Sequence, residues 1–215
     1  MRINKFIAQS GYCSRRQADR LIEEGKVLIN GQMAGLGDQV NPKDRVEVEG
    51  KLISGRTPKP VYLAFNKPRG IISSTTDRQG QDVVSYINYP ERIYPVGRLD
   101  KDTEGLLLLT NDGDLAHEIT KTENANEKEY YVVVNKAYDD AFIKAMTEGV
   151  RILGRKTLPA QFKPVDKRTF RLTIRQGLNR QIRRMCEALG YKVTFLRRIR
   201  IMNISLGNLQ PGEWR

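Results

Sequence analysis

Four consecutive leucines, Leu106 to Leu109, stand between Gly105 and an Asn111-Asp112-Gly113 turn signal. A short apolar run bounded by turn residues reads as a strand buried on both faces, which puts a sheet inside the core of this chain. Just before it comes Gly97-Arg98-Leu99-Asp100-Lys101-Asp102-Thr103-Glu104, with three carboxylates and two cations in a loop that the strand would hold firmly. Charged groups on a loop anchored to a rigid core are the usual arrangement for chemistry. A solvated charged turn is the competing reading.

The net charge of +12 is unevenly spread. Residues 1–55 carry +2, residues 56–149 carry −3 and residues 150–215 carry +13. In the last third the cations alternate with β-branched and aromatic residues, so they belong to a folded surface, and such a surface calls for a polyanion, nucleic acid first. An anionic membrane is disfavoured because no amphipathic helix joins a basic face to an exposed aromatic one. No apolar run reaches 18 residues, and Met1 to Lys5 lacks the apolar core of a signal peptide, so the expected location is cytoplasmic. Cys13 and Cys186 lie far apart with one histidine, His117, in the chain; this excludes a zinc site or disulfide framework and makes both thiols small core residues.

The periodicity predicts a helix over residues 2–9 with Ile3, Phe6 and Ile7 inward. A capping box at Ser14-Arg15-Arg16-Gln17 opens a second helix, with Ala18, Leu21 and Ile22 inward and Arg15, Arg16 and Arg20 outward. Asn30-Gly31 marks a tight hairpin, and Arg45 to Glu49 a further strand. Lys51 to Pro60 has little periodicity and reads as a connection. Beyond it, strands are expected at Val61–Phe65, Ile71–Thr75, Lys128–Val134, Leu158–Val165, Thr169–Arg175 and Val193–Ile201. Asp77–Gln81 reads as a polar loop. Helices are expected around Val83–Ile87, after a cap at Asp114 with Leu115 and Ile119 inward, after Asp139 or Asp140, and over Asn179–Leu189. Runs of strands with a few separate helices indicate an α+β fold with a mixed or antiparallel sheet flanked by helices.

On the 179–189 helix, 100° per residue groups Ile182, Met185, Cys186 and Leu189 on one side and Arg180, Arg183, Arg184 and Glu187 on the other. Cations in a first turn oppose the helix dipole, so their presence hints at function. In the final strand Val193, Phe195, Ile199 and Ile201 alternate against Leu196, Arg198 and Arg200, a pattern suited to a pocket wall. A salt-bridged sheet face is the alternative. There is no phosphate-binding loop and no nucleophile elbow, so nucleotide binding and triad hydrolysis lack support. Asp100, Asp102, Asp112 and Asp114 leave a magnesium-dependent nuclease as a minor alternative.

Two resemblances extend this reading. Arg2-Ile3-Asn4-Lys5-Phe6-Ile7, Ser14-Arg15-Arg16, Ala18-Asp19 and Gly25-x-Val27-x-Ile29-Asn30-Gly31 resemble the S4 RNA-binding domain. That resemblance implies RNA contact through Arg2, Lys5, Arg15, Arg16 and Arg20. Asn66-Lys67-Pro68-x-Gly70, Gly97-Arg98-Leu99-Asp100, Lys128-Glu129-Tyr130, Gly177-Leu178-Asn179-Arg180-Gln181-Ile182-Arg183-Arg184-Met185 and Gly212-Glu213-Trp214-Arg215 resemble the RNA pseudouridine synthases of the RsuA/RluB/RluE/RluF branch, nearest the RluF-type subgroup. This implies site-specific conversion of uridine to pseudouridine in ribosomal RNA, 23S rRNA first and tRNA as a second candidate, with no cofactor and no metal. It also implies roles. Asp100 would attack the ribose or take its 2′ proton, Tyr130 would stack on the target base, and Arg183 would partner the aspartate. Substrate binding would fall to Arg98, Leu196, Asn179, Arg180, Arg184, Arg198 and Arg200. Either role of Asp100 needs an ionised carboxylate, which a neighbouring guanidinium favours. The domains expected are an S4-like module at 1–52, a linker at 53–60 and a catalytic domain at 61–215, acting as a monomer. Family members usually continue past the motif at Arg215, which puts RNA affinity in question more than catalysis. The competing hypothesis is a non-catalytic S4-type ribosome-associated RNA-binding protein.

Overall fold

The computed structural model describes residues 1–53, 58–74 and 81–215. The chain divides into two compact units, Met1–Val61 with Tyr89–Ile93 and Asn111–Gly113, and the remainder. In the first unit come α1 (Ile3–Gln9), α2 (Arg15–Glu23), β1 (Val27–Ile29), β2 (Gln32–Met33), β3 (Val46–Val48) and β4 (Lys51–Ile53). The Ser14 capping box forms in both directions, and Asn30 and Gly31 both take positive φ, as their turn requires. Ile3, Ile7, Ala18, Ile22, Val27, Val46 and Val48 make one core, leaving Arg15, Arg16 and Arg20 exposed on α2. The segment from Lys51 is not all connection. Lys51–Ile53 pairs with β3 through a second positive-φ turn, Glu49-Gly50, and its lack of an apolar face hid it.

The second unit holds β5 (Tyr62–Lys67), α3 (Val83–Ile87), β6 (Tyr94–Val96), β7 (Glu104–Thr110), α4 (Gly113–Thr120), β8 (Lys128–Val134), α5 (Asp140–Glu148), β9 (Arg151–Ile152), β10 (Arg155–Lys156), β11 (Gln161–Pro164), β12 (Thr169–Ile174), α6 (Gln181–Ala188), β13 (Val193–Ile201) and β14 (Ile204–Ser205). Its main sheet runs β11-β12-β8-β13-β7-β5, with β14 on β13 and β6 on β7. Every pairing is antiparallel except β13 with β7, so the sheet is mixed. All seven residues of β7 are buried, as its leucines demand. Leu106 and Leu108 pack with Ala64, Val96, Ile201 and Leu206 on one face. The Glu213–Arg215 backbone bonds along β5, through Asn66 and Ala64.

Several expectations fail locally. Ile71 to Ser74 form no strand, only a bridge from Ile72 to Asp82, and Thr75 lies outside the described residues, as do positions 77–80 of the expected loop. Asp114 lies inside the first turn of α4 because that helix starts a residue earlier, and Leu115 is exposed. The strand expected at Leu158 begins only at Gln161. Cys186 is fully buried and Cys13 packs partly against the first unit's core. Among the described residues no helix is long and apolar enough to cross a membrane.

Candidate active site

Asp100 sits in the loop between β6 and β7, and the loop is pinned on both sides. Ser73 Oγ accepts from the Leu99 amide at 3.1 Å and donates to the Leu99 carbonyl at 3.0 Å. The Gly70 amide donates to Lys101 O at 2.8 Å, and the Thr103 amide turns back to Asp100 O at 3.0 Å. Such a loop presents its carboxylates from a fixed backbone, which is what positioning for chemistry requires. The Asp100 side chain is about one-third exposed, at the wall of a cleft of roughly 550 Å³. Arg98, Tyr130, Asn179, Arg180, Leu196 and Arg198 line the same cleft. The structure therefore brings together seven of the residues expected at the site.

Three others lie elsewhere. Arg200 does not join Leu196 and Arg198, because the register of β13 against β8 slips between Arg198 and Arg200. The slip turns Ile201 into the cleft and Arg200 to the other face, where it pairs with Glu129 at 2.8 Å and Glu127 at 3.3 Å. At Arg200 the salt-bridged sheet face is the correct reading. Arg184 folds back on Asn179, donating to its carbonyl and to Oδ1, both at 3.1 Å. Arg183 is not on an open helix face but only 8% exposed. Its Nη2 donates to Asp102 O at 3.1 Å and Thr103 Oγ1 at 3.3 Å, and lies 3.3 Å from the Asp102 carboxylate.

The guanidinium nearest Asp100 is that of Arg180, with Nη1 3.6 Å from Asp100 Oδ2 and 3.1 Å from Asp102 Oδ1. Arg180 is outside the helix proper: it flanks α6 in the left-handed region, φ 50°, ψ 38°, with no side-chain cap. A non-glycine residue there costs about 1–3 kcal/mol, a strain that clusters at functional sites. Two buried donors in this neighbourhood, Arg183 Nε and Arg198 Nη2, have no protein partner. Arg198 Nε is anchored on Leu106 O at 2.7 Å.

Sequence reasoning had given no site role to Lys67 or Lys128 and had weighed Asp102 only as a metal ligand. Lys67 is fully buried, and its Nζ donates to Pro68 O and Ile71 O, both at 2.8 Å, bracing the segment that holds Lys101. Burial lowers its pKa to about 8, against the pull of Asp102, Asp100 and Glu104. Lys128 lines the cleft and is lowered by burial and then by Arg198. Burial pushes the Asp102 carboxyl up, but the Arg180 hydrogen bond and the charges of Arg183 and Arg180 together outweigh it and hold it below the usual range. Among the described residues no three His, Cys, Asp or Glu side chains are grouped to hold a metal ion, so the four aspartates form no metal centre there.

Lys67 and Cys186 give the stability of this unit an alkaline signature. Lys67 keeps its proton longer in the unfolded chain, so its effect is to raise stability as pH climbs from about 8 toward 10.5. Cys186, pushed up by burial from 9.0 to about 12, keeps its proton longer in the folded chain and lowers stability over that interval. Urea denaturation should show stability rising from pH 8 to 9 and levelling above 9. In Cys186→Ala the rise should continue to pH 10, from a lower starting value.

The sequence profile of RNA pseudouridylate synthase matches residues 61–188, and that of the S4 domain matches residues 1–46. The dual-specificity RNA pseudouridine synthase RluF of Shigella flexneri is 51% identical over the whole of this chain and 74% of its own length. The ribosomal large subunit pseudouridine synthase B of Bacillus subtilis is 41% identical over all of this chain and 91% of its own. A crystal structure of a pseudouridylate synthase, 33% identical, superposes with a TM-score of 0.74 over all of this chain and 95% of that one.

Proposed function

The chain belongs to the RNA pseudouridine synthases that carry an N-terminal S4 domain, and on that premise we propose that Asp100 performs the isomerisation on a uridine of large-subunit ribosomal RNA. The observation that carries the assignment is the placement of Asp100. It is a partly open carboxylate on a loop pinned by Ser73 and Gly70, facing a base-sized cleft walled by Tyr130, Leu196 and Arg198. Ribose attack and 2′ deprotonation both need that carboxylate beside the sugar. Detachment of the uracil, its rotation and re-bonding through C5 then need a closed apolar wall and donors for developing charge. Tyr130 and Leu196 supply the wall, and Arg198, Arg180 and Lys128 supply the donors.

A uridine in folded RNA must leave its stack first, at a cost of a few kcal/mol. Phosphate contacts offset that cost. We assign them to Arg98 and the basic surface of the second unit, and to Arg2, Lys5, Arg15, Arg16 and Arg20 of the S4 unit. Arg183 acts from behind Asp102, and Arg184 and Arg200 shape their surroundings without touching the base. The word "ribosomal large subunit" in the name of the 41% identical relative supports 23S rRNA as the target. "Dual-specificity" in the name of the 51% identical one supports a second RNA, for which tRNA is our candidate.

Tritium release from RNA labelled at uridine C5 tests the proposal. The protein should release tritium from 23S rRNA or from incomplete large subunits, equally in EDTA, with pseudouridine recovered on digestion. Binding without release would establish a non-catalytic RNA binder instead, and strand cleavage stopped by EDTA would establish a nuclease.

A further inference from the structure

We infer that Asp102 is a positioning residue for this reaction, whose negative charge holds Arg180 and Arg183 off the carboxylate of Asp100. The inference rests on the assignment of Asp100 above. Both arginines turn to the same carboxylate. Arg180 places Nη1 3.1 Å from Oδ1 and Nη2 3.4 Å from Oδ2, and Arg183 Nη2 lies 3.3 Å from Oδ2. Arg180 Nη1 also reaches Asp100 at the longer distance of 3.6 Å. The four groups balance in charge, two guanidiniums against two carboxylates, and Asp102 takes the shorter contacts.

Arg183 is the member that cannot do without it. Its side chain is nearly buried, its Nε has no protein partner, and Asp102 is its one carboxylate within ion-pair distance among the described residues. A buried cation stripped of its counter-charge is strongly unfavourable and turns to the nearest remaining carboxylate. That carboxylate is Asp100, two positions back on the same pinned loop and already within reach of Arg180. Both guanidiniums would then crowd the group that has to act on the sugar. Asp102 itself is about half exposed, so its side chain fills no core space. Its value at this position is its charge and reach more than its volume.

Charge and shape make opposite predictions for two substitutions. Asparagine keeps the shape and loses the charge; glutamate keeps the charge and lengthens the arm. We expect Asp102→Asn to lower kcat for tritium release by about 30–100-fold with KM within about threefold, a loss typical of misplaced catalytic groups. Asp102→Glu should recover at least about one-tenth of wild-type kcat. In an Arg183→Gln background, Asp102→Asn should cost less than about threefold more, because the two act as a unit. Circular dichroism melts would show each variant folded. If Asp102→Asn alone did not fold, the double variant, which lacks the stranded cation, carries the comparison against Arg183→Gln. Asp102→Asn retaining more than about a third of wild-type kcat, Asp102→Glu falling below Asp102→Asn, or losses that multiply in the double variant would overturn the inference. An active Asp100→Asn protein would instead remove the assignment on which it stands.

Discussion

Asp100→Asn should abolish tritium release, with kcat down by about four orders of magnitude or more, the loss expected when a group that reacts with substrate is replaced by an inert isostere. The fold should not register the change. Asp100 is one-third exposed and its one ion pair, with Arg180, is long at 3.6 Å, so the pair contributes no more than about 0–1 kcal/mol. The loop is pinned through backbone groups of Leu99, Lys101 and Thr103 and through Ser73, none of which the substitution touches. RNA affinity should hold or rise slightly, since a negative charge near the incoming phosphates is gone. Filter binding, melting and tritium release on one preparation separate these effects. An Asp100→Asn protein that kept more than about one part in a hundred of the wild-type rate would move the chemistry to another residue. One that lost binding as well would show that Asp100 organises the cleft.

What the sequence disclosed and what it hid divide by the range of the interactions. The capping box at Ser14, the Asn30-Gly31 turn and the leucine run in β7 are decided by neighbours within a few residues, and all three stand as read. The catalytic loop was legible because a strand buried on both faces cannot be mistaken for a surface turn. The short hairpins were not. In β4, Leu52 is 60% exposed, so pairing with β3 holds the strand and burial does not. The turn between β9 and β10 puts Leu153 at φ 49°, a conformation that leucine does not advertise. Arg183 and Arg200 were misplaced for a different reason. Helical periodicity put Arg183 on a solvent face, but its counter-charge comes from 81 residues earlier in the chain. Strand alternation put Arg200 with Arg198, and a slip in register, invisible to counting by twos, reversed it. Glu127 and Glu129 then claimed it, acids whose proximity depends on how β8 pairs with β13.

Gly105→Ala should be the most damaging single methyl that the second unit can receive. Gly105 pairs with Arg198 where β7 and β13 run parallel, the one parallel junction of the main sheet. A Cβ there would lie 2.6 Å from the Arg198 amide nitrogen and closer still to its carbonyl oxygen, and the backbone, at φ 109°, occupies a region that L side chains rarely adopt. Both obstacles are main chain, so no side-chain rotation relieves them. Either β13 moves away from β7 or β7 changes conformation, and each course breaks strands on both sides of the site. The cost should exceed about 4 kcal/mol, enough to lower the midpoint of thermal unfolding by more than about 8 °C or to leave the protein insoluble. Gly177→Ala is the control: nothing lies within 4 Å of a Cβ there, and stability should stay within about 0.5 kcal/mol. The same junction carries function. Gly105 follows the Asp100 loop, and Arg198 is on the cleft wall with its Nε on Leu106 O, so this close approach couples the loop to the wall. Any Gly105→Ala protein that stays folded should therefore release tritium far more slowly than its folded fraction allows. If it melted and turned over like the wild type, β13 could retreat without disturbing the cleft, and the parallel junction would not be what sets Asp100 against Arg198.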